Sequence, residues 1–113
     1  MKINARHRAG RYLYAIADAT EHPACGDIGV NGATVYPVPQ GPIVALVSDI
    51  TEKRIRPERK NLVAHHAVVK RLMEQTTVLP VAFGTIAESP KAVREILKEN
   101  TGAFVEQLVL VRG

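Results

Sequence analysis

TVLPVAFGTIAESP, residues Thr77 to Pro90, is the stretch on which the fold turns. Val78, Leu79, Val81, Ala82 and Phe83 make a short apolar run, the kind presented by a strand covered on both faces. Pro80 lacks an N–H and so belongs where the sheet ladder needs no donor. Gly84 supplies backbone freedom for a turn, and Ser89 followed by Pro90 is the signature of a capped helix start. The stretch therefore reads as a buried strand, Val78 to Phe83, then a turn and surface residues Thr85 to Glu88, then a helix.

Upstream, the helical period is clear. Pro57 fits a first helical position, where its missing N–H costs nothing, and Glu58 beside it favours the positive end of the dipole. At 100° per residue Leu62, His65, Val69, Leu72 and Met73 share one stripe, which predicts an amphipathic helix from Pro57 to about Gln75. Downstream, Val93, Ile96, Leu97, Phe104, Leu108 and Val111 form a second stripe that runs across Gly102. A glycine inside a helix costs roughly 1 kcal/mol relative to Ala, so a kink or break is expected between Asn100 and Gly102.

Before these helices the pattern changes to period two. RYLYAIA, Arg11 to Ala17, sets Tyr12, Tyr14 and Ile16 against Leu13, Ala15 and Ala17, as in a strand. Residues Asp18 to Ala33 hold three glycines, a proline and Asn31-Gly32, and read as an exposed loop. Two further strands, Thr34 to Val38 and Ile43 to Asp49, are joined through Pro39-Gln40-Gly41. Pro37 predicts that the first of them lies at a sheet edge or faces away from its neighbour.

The order strand, strand, strand, helix, strand, helix implies a right-handed parallel crossover beside an antiparallel hairpin. The expected fold is α+β: a single ferredoxin-like sandwich, about four strands in a mixed sheet, both helices on one face, and the final strand missing or supplied by a following segment. Residues 1–10 read as a flexible basic N-terminus and residues 11–113 as one domain.

Composition narrows the classes. With 113 residues, 46% hydrophobic and 23% charged, the chain suits one globular core and not a disordered segment. No apolar run reaches the roughly 20 residues of a membrane span, so no membrane partner is expected. The opening MKINARHRAGRYLY has no apolar stretch after its basic residues and does not read as a secretory signal. A lone Cys25 cannot close a disulfide within the chain, and cytoplasm is the expected compartment.

Charge is uneven. Lys and Arg exceed Asp and Glu by 15 to 11, and KRIRPERK alone, with Lys53, Arg54, Arg56, Arg59 and Lys60, sets five basic residues against one acid. Such a run meets nucleic acid, anionic lipid or an acidic protein, or is simply a solvated loop and first helical turn. Base stacking wants exposed rings among the charges, and aromatics are only 4% with no Trp, which counts against nucleic acid.

No catalytic constellation stands out. His65 and His66 are adjacent, about 100° apart on a helix, and make a poor metal pair. His65 lies in the apolar stripe and reads as a core histidine. Cys25 has no activating neighbour, FGT has one glycine where phosphate loops need several, and Asp49, Glu52 and Glu58 have basic neighbours as charge partners. No enzyme activity, cofactor or metal is called for.

RYLYAIADA, VYPVPQGPIVALVSDI, NLVAHHAVVKRLMEQTTVLPVAFGTIAES and the closing VRG together resemble the amino-terminal domain of the gas vesicle proteins GvpF and GvpL. The combination of a helical histidine and a VLP-x-x-FGT segment maps onto His65, Val78, Leu79, Pro80, Phe83, Gly84 and Thr85. The resemblance covers Arg11 to Gly113. It implies an α+β domain followed by a helical one in a longer protein, and no enzymatic activity. It also implies an accessory role in gas vesicle assembly, with the main vesicle shell protein and other accessory proteins as partners. On that reading the partner surface is expected at the edge strand, Val35, Tyr36 and Val38, or at the edge left bare by the missing last strand, by strand addition, with attraction from Lys53, Arg54, Arg56, Arg59 and Lys60. Two alternatives remain. A basic nucleic-acid-binding module requires exposed rings such as Tyr12 and Tyr14, and a small ligand-sensing domain requires a polar pocket at His65.

Overall fold

The computed structural model describes residues 10–112. Its elements are β1 (Gly10–Asp18), β2 (Tyr36–Gln40), β3 (Ile43–Ile50), α1 (Arg59–Met73), β4 (Val78–Pro80), β5 (Ile86–Ala87), α2 (Pro90–Glu99) and α3 (Thr101–Arg112), with a 3-10 turn at Val30–Gly32. Gly10 already belongs to β1, and the flexible terminus expected before it lies outside the described residues.

The strands order as β2-β3-β1-β4, with β5 also on β1, and every pairing is antiparallel. The sheet is therefore antiparallel, not mixed. Because β3 and β4 both oppose β1, they run parallel to each other, and the β3–α1–β4 connection crosses over β1 between them. β2 and β3 meet across a two-residue turn at Gly41-Pro42, where Gly41 takes φ +60°.

β1 is the centre of the molecule, buried along almost its whole length. The strict alternation expected for it fails at one residue. Leu13 partners Val47 and Ala15 partners Leu46, which leaves Tyr14 as the extra residue of a bulge. Tyr12, Tyr14, Ala15 and Ala17 then reach one core, and Leu13 and Ile16 the other.

A central strand that is apolar on both faces needs cover on both, so the expectation of two helices on one face is corrected. One face is covered by α1, through Val68 and Leu72, and by the segment between β1 and β2, through Cys25 and Val30. The opposite face is covered by α2 and α3, through Val93, Leu97 and Leu108. Residues 18–33 are accordingly not a purely exposed loop: Val30 is fully buried and Cys25 nearly so. The break expected near Gly102 falls at Asn100 (φ −117°, ψ 13°), which separates α2 from α3 and makes three helices of the expected two.

α1 begins at Arg59 with Glu58 at its N-cap, so Pro57 precedes the cap and does not open the first turn. Its buried face is Asn61, Val68, Val69 and Leu72, while Leu62 is 44% and Met73 57% exposed. The apolar stripe is thus wider than the contact that buries it, and the expected core face is rotated.

Residues 78–90 also differ from expectation. β4 ends at Pro80, and only Val78 of the expected strand to Phe83 is fully buried. The Val81 N–H still donates to the Tyr14 carbonyl (2.9 Å), after which Gly84 turns the chain at φ +87°. The chain then returns to the sheet as β5, opposite Arg11 and Tyr12, with Ala87 buried, so Thr85 to Glu88 are not a free loop. β4 and β5 thereby share one side of β1 in turn, and the edge expected to be bare for want of a last strand is a three-residue stretch. Ser89 caps α2 as expected, its Oγ accepting from the Ala92 N–H at 3.1 Å.

Candidate functional site

α1 lays His65 against the bulged strand, and the motif residues converge there. The Tyr12 hydroxyl accepts from the Gly84 N–H (3.0 Å) and lies 2.8 Å from His65 Nδ1. With the Gly84 N–H donating to it, the Tyr12 hydroxyl keeps its own proton to donate to Nδ1, which is the tautomer with hydrogen on the other ring nitrogen. That is a neutral imidazole. Burial pushes the His65 pKa down, the Val81 carbonyl acts against it, and the nearby His66 lowers it further. Phe83 meets His65 edge-on at 5.6 Å between centroids and Tyr12 at 6.1 Å, and Tyr12 packs on Tyr14 at 4.9 Å. Thr85 closes the turn, its Oγ1 donating to the Ala82 carbonyl (2.8 Å) and its own carbonyl accepting from the Leu13 N–H (3.0 Å). Pro80 is exposed at the end of β4.

His65, Phe83, Gly84 and Thr85 therefore form a latch that holds the 78–87 segment on β1. Their polar groups are spent within the fold. At His65, Nδ1 is taken up by the Tyr12 hydroxyl and the ring packs against Phe83.

A second buried network was not foreseen. The Val30 N–H donates to the Tyr14 hydroxyl (2.9 Å), which donates to Ser48 Oγ (2.9 Å), which donates to the Thr34 carbonyl (2.8 Å). Gly29 lies against it so closely that a Cβ there would sit 2.5 Å from the Tyr14 hydroxyl oxygen. The available signal was Ser48, a polar residue inside the apolar strand IVALVSDI. Burial raises the Tyr14 pKa, with the Ser48 and Val30 contacts opposing. Arg11 and Asp49 make an ion-pair contact (Nε to Oδ1 2.9 Å), and the Tyr36 hydroxyl donates to the same carboxylate, so Asp49 is a charge partner. Among the described residues no group of three His, Cys, Asp or Glu is placed to hold a metal. Burial raises the Cys25 thiol pKa, against a smaller opposing effect of Arg71.

The expected partner surface divides into two parts that are far from equivalent. Val35 and Val38 are buried and Tyr36 is half-buried with its hydroxyl on Asp49, so these side chains face the fold. The backbone edge is closed as well. Counting from the two-residue turn, Gln40 and Val38 lie in hydrogen-bonded pairs with β3, which turns positions 37 and 39 outward. Both are proline and offer no N–H. The next outward donor, the Val35 N–H, is already on the Gly26 carbonyl (3.0 Å). An incoming strand at β2 would find acceptors and no free N–H at positions 35, 37 and 39.

Lys53, Arg54, Arg56, Arg59 and Lys60 are all exposed around the start of α1. Buried Ile55 and the bond from Asn61 Nδ2 to the Arg56 carbonyl (2.9 Å) fix the loop beneath them. The rings required by a nucleic-acid platform are not beside them, since Tyr12 and Tyr14 are completely buried. Among the described residues, no helix is long and apolar enough to cross a membrane.

A family model described as gas vesicle synthesis protein GvpL/GvpF matches residues 10–113. The chain belongs to the GvpL/GvpF family. Gas vesicle protein F of Streptomyces sp. (strain CB03234) is 37% identical over 101 residues, which are 86% of this chain and 42% of that protein. The crystal structure of GvpF from Anabaena sp. PCC7120 superposes with a TM-score of 0.75 at 24% identity, covering 88% of this chain and 43% of that one. GvpF from Microcystis aeruginosa gives 0.74 at 22% identity, covering 89% and 43%. At these identities the two structures establish a shared α+β fold. The GvpL/GvpF chain described here spans less than half the length of these relatives.

Proposed function

We propose that this chain is a non-catalytic gas vesicle accessory protein that binds the main vesicle shell protein, and other accessory proteins, and assists assembly as a chaperone does. Its place of action is the cytoplasm and the gas vesicle. The observation that carries the proposal is the family match across residues 10–113. The site chemistry agrees with it: the motif residues hold the fold together, and the surface left for partners is basic and apolar. We read residues 11–113 as the amino-terminal domain of a longer architecture, a reading that rests on the resemblance of its motifs, and the matched region spans 42–43% of the relatives' length. We read the domain as a ferredoxin-like sandwich in which the segment between β1 and β2 takes the place of a helix. The strand order β2-β3-β1-β4 supports this.

The test is co-expression with the shell protein, capture of this chain at low and high salt, and the nucleic-acid absorbance ratio of the captured sample. Recovery of shell protein without nucleic acid is the expected result. Recovery of nucleic acid alone would replace the proposal with a basic nucleic-acid module.

A further inference from the structure

We infer that the outward face of α1 is a docking surface and that its occupant is an amphipathic helix with acidic flanks. The inference rests on the accessory-protein reading for the partner's identity, and on this chain alone for the partner's chemistry.

Leu62, His66, Val69 and Met73 are spaced four, three and four residues apart, which puts them on one stripe of α1. The core uses the neighbouring face, so Leu62 and Met73 stay exposed at the two ends of the stripe with Val69 as its floor. The stripe spans three helical turns, about 16 Å, a length that one partner helix of similar extent fills at the usual interaxial distance of roughly 8–10 Å.

Charge identifies the partner. Residues 53–74 carry seven Lys and Arg against two Glu, while the remainder of the chain carries eight against nine. The whole positive excess of the protein is therefore gathered on α1 and the loop that leads into it. Helical geometry puts Arg59 and Lys70 beside the stripe and Lys60 and Arg71 on the far side of the helix, and all four are exposed. Among the described residues the single ion pair in this set is Arg71 with Glu74, and it is loose at 3.9 Å. An apolar stripe bordered by unpaired cations matches an apolar stripe bordered by carboxylates.

Other occupants fit less well. A second copy packed antiparallel through the stripe would set Arg59 against Lys70 at both ends of the contact, and these repel. A strand has no donors to meet at β2, as shown above. A nucleic acid would use the cations but gain nothing from Leu62 and Met73.

The probe is a synthetic helical peptide of about five turns with a Leu/Ala face flanked by Glu, compared with the same peptide flanked by Lys. Binding to the intact 113-residue chain is read by fluorescence anisotropy at low and high salt. The variants are Leu62→Asp with Met73→Asp, and Arg59→Glu with Lys70→Glu. All four positions are exposed, so the variants should fold, and thermal unfolding checks that they do. The Glu-flanked peptide should bind and weaken with salt. Each double variant should lose about tenfold or more in affinity, and the Lys-flanked peptide should not bind. Equal binding by wild type and variants would overturn the inference. So would binding of a single-stranded oligonucleotide in place of the peptide that is abolished by Arg59→Glu with Lys70→Glu but indifferent to Leu62→Asp with Met73→Asp. Capture of the shell protein by wild type and by both variants equally would leave the assembly role standing and place its surface elsewhere, against the inference. Peptide discrimination as expected, without shell-protein capture, would uphold the docking surface and remove the shell protein as its partner.

Discussion

Replacing Tyr12 with Phe removes a single oxygen and keeps the ring that packs on Tyr14, His65 and Phe83. That oxygen joins three segments of chain, since it accepts from the Gly84 N–H at 3.0 Å and lies 2.8 Å from His65 Nδ1. Each net hydrogen bond is worth about 1 kcal/mol, and a buried donor left without a partner costs about 1–3 kcal/mol. The Gly84 N–H loses its acceptor outright, whereas half-exposed His65 regains water at part of its surface. The expected loss is therefore about 2 kcal/mol, or a fall of roughly 10 °C in Tm for a domain of this size. Urea unfolding followed by circular dichroism measures it, with the m-value unchanged if the native state keeps its compactness. A double-mutant cycle with His65→Leu isolates the pair, and a coupling of about 1 kcal/mol is expected because the two groups touch. A loss below about 0.5 kcal/mol, or strictly additive effects, would refute the latch.

Three further outcomes follow from the same contacts. The His65 pKa is lowered in the folded chain from its ordinary 6.5, so just below pH 6.5 the unfolded chain binds more protons than the folded one. Stability should be full above pH 6.5, decline as pH falls, and level off beneath the folded value; His65→Gln should remove that part of the slope, and an unchanged slope would contradict the neutral imidazole. Gly29→Ala places a Cβ 2.5 Å from the Tyr14 hydroxyl and 2.7 Å from Ser48 Oγ, so denaturant titration should show a loss of about 2–3 kcal/mol. Pro37→Thr with Pro39→Thr restores two outward N–H donors on β2, and light scattering should detect concentration-dependent self-association that wild type lacks.

How much of this was legible in the sequence depends on whether a signal is local. The three long elements, β1, β3 and α1, were read from period and position, because burial of one or two faces imprints itself on alternation or on a 3.6-residue stripe. Pro37 was read correctly as an outward-facing edge residue, since a missing N–H is a local fact. The Tyr14 bulge was not legible: nothing in RYLYAIA shows that one residue falls out of register, and that shift decides which core Ala15, Ile16 and Ala17 enter. The 18–33 segment looked like an exposed loop because its glycines and Asn31 are turn-formers, yet Val30 fills a core that only tertiary contact reveals. Cover on both faces of the sheet was hidden for the same reason. β4 was overread because VLPVAF is apolar throughout, and hydropathy does not report that a proline and a glycine end the pairing after three residues. The site was half legible. His65, Phe83, Gly84 and Thr85 were singled out as a motif, but their partner Tyr12 lies 53 residues before the histidine. The basic run was found, and its continuation onto the outer face of α1 was masked by counting Leu62 and Met73 as core.

The most direct measurement is an aggregation assay in which unfolded shell protein is diluted into buffer with increasing amounts of this chain, wild type or Arg59→Glu with Lys70→Glu. The account predicts that wild type suppresses light scattering in a stoichiometric, salt-sensitive manner and that the charge-reversed variant does so far less. Scattering that is unaffected by wild type at any ratio would contradict it.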